Sequence, residues 1–258
     1  RDPLWDDWLD SAKDAGYAVN DDFNGKEQLG FSRSQYTIKN GHRCSAAAAF
    51  LHPARGRANL TVATNAYATR VLLEGTRATG VEYQQGGEIK TAHAGSEVIL
   101  AGGAFNSPHL LMLSGIGPAE HLKEHGIETV VDLPVGQNLQ DHLATWIMWA
   151  RPHNTSPFRD LLRADRISAA FMQAYLFGTG PATIPPSGLA AFTRYNAELT
   201  APEVQFLFRS APGHPEMWFP GIRPAYDDAF GIRPVLLHPE SRGEVLLRSS
   251  NPRERVRL

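Results

Sequence analysis

The sequence predicts an α/β first half followed by an α+β second half. In the first half, short β-type runs between residues 59 and 100 lead into an apolar stretch, a glycine pair and a helical stretch over residues 96–117. In the second half, a helical stretch over residues 160–177 precedes four strand candidates. We therefore expect two regions of different architecture, which meet just after His142.

Hydrophobic spacing and turn residues define the predicted elements in order. Apolar residues at helical spacing predict a helix within residues 3–16, and alanines favour a helix over 45–51. Further helices are predicted at 118–125, ended by Gly126, and at 160–177. Glycine-bounded β-type runs predict strands at 60–63, 69–73, 79–83, 89–92, 97–100, 189–193, 203–208, 235–238 and 244–248.

Residues 96–117 form the most informative stretch. Residues 98–100 predict a buried strand, and Gly102 and Gly103 predict a tight turn. Ser107 suits the N-cap of a following helix, with Pro108 at its first position. Backbone N–H groups at such a turn form a seat for an anionic group, although many units with this spacing bind nothing.

The string from Gly103 to Gly117 resembles the second signature of the glucose-methanol-choline (GMC) oxidoreductases, which are FAD-dependent enzymes that oxidise alcohols. Residues 40–45 resemble the family's Asn-Gly-x-Arg-x-Ser segment. Residues 132–142 are similar to its Val-Gly-x-Asn-Leu-x-Asp-His element, and residues 238–248 to its His-Pro-x-Ser-Arg-Gly strand. The resemblance covers nearly the whole chain in the family's order.

The resemblance implies an α/β FAD-binding domain, partial and Rossmann-like, plus an α+β substrate-binding domain with an antiparallel sheet. Residues 46–143 would form the partial FAD-binding domain and residues 144–258 the partial substrate-binding domain. Residues 1–45 would form a lid segment associated with the substrate domain. The family's Gly-x-Gly-x-x-Gly fingerprint and its histidine motif, His-Pro-x-Gly-Thr, do not occur in the sequence. We therefore expect an internal fragment of a longer enzyme.

The resemblance also implies five cofactor-binding residues. Ala68 occupies the position of a family valine whose backbone meets the adenine. Gly102 and Gly103 match the turn near the FAD ribose and pyrophosphate. Asn106 and Ser107 match the polar pair that follows this turn. No catalytic residue is expected within the chain.

The implied activity is oxidation of the CH–OH group of an alcohol, as in choline or primary-alcohol dehydrogenases. A hydride passes to the flavin, and a histidine base outside this chain takes the hydroxyl proton. The partners are a small-molecule alcohol and an unidentified electron acceptor. Two alternatives remain open: an FAD-containing hydroxynitrile lyase on the same scaffold, and an inactive truncated fragment.

Composition and histidine spacing give no support to nucleic-acid or metal binding. A formal net charge of −2 gives no reason to expect a nucleic-acid partner. The single cysteine, Cys44, excludes an internal disulfide and fits a reducing compartment, so a cytoplasmic location is expected. His121 and His125 share a helix face, but no third ligand is evident, so we interpret the face as solvated and expect no metal.

Overall fold

The computed structural model of the protein describes residues 2–258, which divide into two compact units. Unit 1 contains the chain up to Arg57 together with His142–His238, and unit 2 contains Ala58–Asp141 together with Pro239–Leu258. No helix among the described residues is long and apolar enough to cross a membrane.

Six α-helices and thirteen short strands make up the regular structure of the described residues. The helices are α1 Leu4–Asp14, α2 His52–Ala54, α3 Gly103–Leu113, α4 Ala119–Glu124, α5 Pro157–Leu161 and α6 Ala164–Phe177, with a π-helical turn at Ala47–Leu51 and a 3-10 turn at Pro181–Thr183. The strands are β1 Gly30–Arg33, β2 Ile38–Lys39, β3 His42–Arg43, β4 Tyr67–Glu74, β5 Arg77–Gln85, β6 Glu88–His93, β7 Ile116–Gly117, β8 Val131–Asp132, β9 Leu143–Ala144, β10 Ile147–Ala150, β11 Leu189–Thr193, β12 Val204–Arg209 and β13 Ala229–Leu236.

Unit 1 is built on an antiparallel sheet with strand order β1-β11-β12-β13-β10, and β9 also pairs with β13. The apolar face of α1 packs on this sheet, where Leu9 joins Leu189 and Phe208 in one buried cluster. The Trp5 indole N–H donates to the Ser210 hydroxyl at 3.1 Å, which fixes the helix over the sheet. The predicted antiparallel sheet of the second half is therefore present in this unit.

A buried ion cluster of Asp2, Arg151 and Asp228 lies in unit 1. The Arg151 guanidinium donates to both carboxylate oxygens of Asp2, at 3.2 and 2.5 Å. Its Nε lies 3.9 Å from the Asp228 carboxylate, which accepts the Ser156 backbone N–H at 2.7 Å. Burial and then the Asp228 charge raise the pKa of Tyr226 to about 12, so this phenol stays neutral beside the cluster.

Unit 2 combines an antiparallel three-stranded sheet, in the order β4-β5-β6, with a short parallel pair of β7 and β8. Helices α3 and α4 contribute Met112 and Leu122 to its core. Val245 and Leu247 from the C-terminal stretch complete the same cluster. All four side chains are at most 2% exposed, so the stability of unit 2 depends on this contact between segments distant in sequence.

The units divide the chain differently from the predicted domain bounds. Residues 46–57 belong to unit 1 rather than to the unit of residues 58–141, whereas residues 30–33 pair through β1 with β11 of the same unit as residues 144–238. Residues 239–258 join unit 2, where the Val245 N–H donates to the Gly136 carbonyl at 2.7 Å and Gly243 pairs with Leu139. The sequence pattern did not predict these long-range pairings. The functional names attached to the predicted domains stay predictions.

Three predicted strands do not form. Residues 60–63 and 97–100 adopt no strand, and residues 244–248 make only an isolated bridge from Leu246 to Arg257. Residues 98–100 were expected to be buried, yet Ile99 is 76% exposed. An apolar run becomes a strand only beside a hydrogen-bonding neighbour, and no strand of the described residues pairs with this one.

The predicted helix over residues 160–177 is two helices, α5 and α6. The chain breaks between them because the backbone of Trp218 pairs with the connecting residues. The Trp218 N–H donates to the Leu162 carbonyl at 3.2 Å, and the Ala164 N–H donates to the Trp218 carbonyl at 2.9 Å. This bridge replaces helical hydrogen bonds at the junction, which a helical periodicity alone cannot indicate.

Candidate functional site

The start of α3 differs from the prediction. The helix begins at Gly103, with Gly102 at the N-cap, so Ser107 is not its N-cap and Pro108 lies inside the helix. Ser107 instead acts from the second turn, where its hydroxyl accepts the Gly102 backbone N–H at 3.0 Å. Pro108 is tolerated because it removes only one helical hydrogen bond, to the carbonyl of the exposed residue Ala104.

The first turn of α3 keeps the features of an anion seat. Apart from the Gly102 N–H, which donates to Ser107, the amides of the first turn have no side-chain acceptor. Gly103 has a φ of +82°, a left-handed conformation that favours glycine. The helix dipole adds partial positive charge at this end. An anionic group placed here would meet unpaired N–H donors without obstruction from a Cβ at Gly103.

A cleft of about 420 Å³ lies in unit 2 beside this helix start. It brings together four of the five predicted residues: Ala68, Gly102, Asn106 and Ser107. Gly103, the fifth, is the adjacent first residue of α3 and does not line the cleft. The volume is within the range of small-molecule sites. Cofactor binding by these five residues stays a prediction.

One face of α3 forms a wall of the cleft. Asn106, His109, Leu110 and Leu113 all line it, at the spacing that places side chains on one side of a helix. Ala68 lies on β4 and lines the cleft from this strand. The cleft therefore forms between a helix and a strand of the same unit.

Ser114 fixes α3 against β4. Its hydroxyl accepts the Val71 backbone N–H at 2.8 Å and donates to the Leu110 carbonyl at 2.6 Å. Val71 is 4% exposed and Ser114 is 6% exposed, so water does not compete for these hydrogen bonds. One buried hydroxyl thereby sets the spacing between two walls of the cleft.

The C-terminal stretch also reaches the cleft. Pro252 lines it, and its carbonyl accepts the phenolic O–H of Tyr67. The Arg253 guanidinium lies 5.1 Å from the centre of the Tyr67 ring and donates through Nε to Gln84 at 3.1 Å. A cation over an aromatic face is attractive, so these contacts hold the stretch on β4 and β5.

His109 is the buried polar residue of the cleft. Its side chain is in the second turn of α3 and the residue is only 8% exposed. Neither ring nitrogen has a hydrogen-bond or ion-pair partner among the described residues. Burial lowers the pKa of His109 from its ordinary value of 6.5, so the ring is neutral at neutral pH.

This pKa shift predicts a pH-dependent stability. Below pH 6.5 the unfolded chain binds a proton at residue 109 more readily than the folded chain does, so the free energy of unfolding should fall as the pH falls. The free energy of unfolding, measured with urea at pH 7.5, 6.5 and 5.5, should fall more steeply with falling pH for the native sequence than for His109→Gln. The glutamine variant has no titrating group at this position. If the free energy of unfolding falls equally with pH in the two proteins, the lowered pKa of His109 is contradicted.

Sequence reasoning missed His109, Tyr67 and Pro252. A signal for His109 existed, because a polar residue between Asn106 and Leu113 at helical spacing faces the same side as both. Placing the helix start at Ser107 hid this relation. Pro252 had no local signal, since a long-range contact brings it to the cleft.

The histidine pair on α4 has a structural partner. His121 Nδ1 lies 3.6 Å from Glu124, and the His125 ring lies edge-on at 4.9 Å, so the three residues form a candidate metal cluster. However, His121 Nε2 accepts the Leu247 N–H at 2.9 Å. A metal bound to His121 would have to compete with this hydrogen bond. His121 was interpreted as solvated but instead links α4 to the C-terminal stretch.

Comparisons with known proteins define the class. The family model for GMC oxidoreductases matches residues 1–144. Oxygen-dependent choline dehydrogenase of Brucella ovis is 41% identical over 256 residues, which cover 98% of this chain and 45% of that protein. Mitochondrial choline dehydrogenase of Homo sapiens is 40% identical, with 98% and 42% covered. The chain belongs to the GMC oxidoreductase family and spans less than half the length of these relatives.

The fold is similar to that of a solved flavoprotein. Formate oxidase from Aspergillus oryzae, for which FAD modification is described, matches with a TM-score of 0.84 and 25% identity. The match covers 98% of this chain and 48% of that one. Antiparallel sheets with helices are therefore the architecture that this chain shares with an FAD-containing enzyme.

Proposed function

We propose that this chain supplies the FAD-binding cleft of an oxidoreductase that acts on the CH–OH group of alcohols. The observation that carries the proposal is the cleft of unit 2, which gathers Ala68, Gly102, Asn106 and Ser107 at an uncapped helix start. Similarity to two choline dehydrogenases and to formate oxidase supports the reaction class. A primary alcohol such as choline is the proposed substrate.

The residues of the cleft fit the parts of FAD. The uncapped amides of α3 suit the diphosphate, because they are donors at the positive end of the helix. Glycine at residues 102 and 103 lets the diphosphate approach the backbone closely. Apolar walls that include Val81 and Leu110 suit a planar ring beside the Ala68 backbone.

FAD, when bound, accepts the hydride that leaves the alcohol carbon. The residues of this chain bind and orient the cofactor: Ser114 fixes α3 against β4, and the contact of Tyr67 with Pro252 holds one edge of the cleft. The base that takes the hydroxyl proton is proposed to lie outside residues 1–258. The electron acceptor is a separate partner, and neither a metal nor nucleic acid takes part in this proposal.

Unit 2 would then be part of an FAD-binding domain, and unit 1 part of a substrate-binding domain. The Rossmann-like part of the proposal concerns residues 98–100. This apolar run would become a strand when further parallel strands are present beside it. We also retain the cytoplasmic location as part of the proposal, supported by the single cysteine.

FAD binding to the purified chain tests the proposal. We expect titration calorimetry to give one FAD per chain. Asn106→Asp should weaken binding by at least about tenfold, because a carboxylate in the first turn of α3 would repel the diphosphate. Gln137→Glu adds the same charge at an exposed position of unit 2 and should leave the affinity unchanged.

Absence of FAD binding would overturn the proposal and favour the inert fragment. If Asn106→Asp binds FAD as tightly as the native sequence does, any bound FAD lies outside this cleft. The reaction is tested with the whole enzyme that contains this chain. Choline-dependent reduction of a dye acceptor is expected, whereas cyanide release from a cyanohydrin without dye reduction would indicate the lyase.

A further inference from the structure

His109 is a polar group whose hydrogen-bonding capacity the folded chain leaves unused. The residue is more than nine-tenths buried and its side chain lines the cleft of unit 2. No hydrogen bond or ion pair to its ring occurs among the described residues. The ring nitrogens are not fully enclosed, so water can reach them through the cleft. A ligand that displaces this water must supply a hydrogen bond in its place.

The surroundings of His109 indicate the chemistry of such a ligand. Among the described residues, no charged side chain lines the cleft. Leu110 and Leu113 flank His109 on the same helix face, and Val81 lines the same cleft from β5. A neutral imidazole offers one N–H donor and one acceptor lone pair. This combination suits an uncharged, flat, nitrogen-containing ring rather than a second anion.

The position along α3 separates this end of the cleft from the anion seat. His109 lies six residues after Gly103, and a helix rises about 1.5 Å per residue, so the two are about 9 Å apart along the axis. A ligand with a diphosphate at the helix start can therefore extend a heterocyclic base towards His109. FAD carries such a base in its adenine.

We propose that His109 is a specificity-determining residue that hydrogen-bonds the polar edge of the adenine of FAD. The proposal rests on the proposed function, since it assumes that FAD occupies the cleft of unit 2. It goes further by assigning a residue outside the five predicted ones, and by making the adenosine half of FAD a source of affinity. The ring would donate one hydrogen bond to the base or accept one from it, and the apolar walls would exclude water from that bond.

The test compares FAD with FMN, which lacks the adenosine monophosphate half. Dissociation constants for both are measured by calorimetry on the native chain, His109→Leu and His109→Gln. His109→Leu should weaken FAD binding by about tenfold, because the buried hydrogen bond is lost, and should leave FMN binding within twofold. His109→Gln supplies a donor and an acceptor and should keep most of the FAD affinity. His93→Leu, at an exposed histidine of β6, is the matched control and should change neither.

Each other outcome overturns the proposal in a distinguishable way. FAD binding that His109→Leu leaves within twofold removes the role of His109, while the proposed function stands. Equal losses of affinity for FAD and FMN would mean that His109 has only a structural role. The melting temperatures of the ligand-free variants would then also be lower than that of the native chain. No FAD binding by the native chain overturns the proposed function and this proposal with it.

Discussion

Replacing Arg151 with methionine is expected to lower the free energy of unfolding of unit 1 by about 3–5 kcal/mol. The change removes the guanidinium but keeps a side chain that fills much of its volume. Asp2 and Asp228, both at most 5% exposed, would then be carboxylates without a cation. The loss measures the cost of leaving those charges buried, not the intrinsic strength of the ion pair.

Urea unfolding followed by tryptophan fluorescence gives the measurement, since the core of unit 1 contains Trp5 and Trp8. Arg163→Met is the matched control, because Arg163 pairs with Asp165 on the surface. An exposed pair contributes little, so this variant should unfold at the same urea concentration as the native sequence. Equal midpoints for the Arg151 and Arg163 variants would show that the buried ion cluster does not stabilise unit 1.

Replacing Leu122 with alanine is expected to destabilise unit 2 by about 2–5 kcal/mol. Leu122 is fully buried among Met112, Val245 and Leu247, so removing three carbon atoms loses their burial and leaves a cavity. The spread of this range reflects how far the neighbours relax into the space. Because Met112 belongs to α3, the same loss should loosen the helix that forms a wall of the cleft.

Leu133→Ala is the control for Leu122→Ala. Leu133 belongs to the same unit and is 47% exposed, so its truncation leaves no cavity and should cost much less. Circular dichroism and urea unfolding of the two variants give the comparison. Similar losses for both would mean that the cluster of Met112, Leu122, Val245 and Leu247 is not the core on which unit 2 depends.

The sequence predicted elements whose stability is local or whose partners lie close in the chain. Helix α1 and the hairpin strands β4, β5 and β6 form where the periodicity and the glycine turns indicate. Strands β11 and β12 also form at the expected places. In each case the pairing partner follows within a short connection, so the hydrophobic pattern contains most of the necessary information.

Features that depend on distant partners were not predictable in the same way. Residues 98–100 have the composition of a buried strand, but composition does not supply a neighbouring strand. Residues 244–248 have a similar pattern, and a single bridge to Arg257 is all that forms there. The predicted start of α3 was displaced by five residues because Ser and Pro are common at helix starts, whereas here the Ser107 hydroxyl, in the second turn, accepts a hydrogen bond from the Gly102 amide.

In the candidate site, the resemblance to family motifs identified residues that a search for reactive side chains would overlook. Ala68 and Gly102 carry no functional group, yet both line the cleft. His109 carries the most versatile side chain of the cleft and was missed, because the predicted helix start at Ser107 hid its alignment with Asn106 and Leu113. Motif resemblance therefore located the cleft, and the packed structure located its unpartnered polar group.

The hydroxyl of Ser114 has a consequence for observing the site in solution. The Val71 amide donates to this hydroxyl, so its proton can exchange with deuterium only when α3 separates from β4. The exchange rate of that one amide therefore reports how often the cleft walls come apart. Val71 does not line the cleft, yet the exchange rate of its amide measures how often the cleft opens. This measurement needs no cofactor.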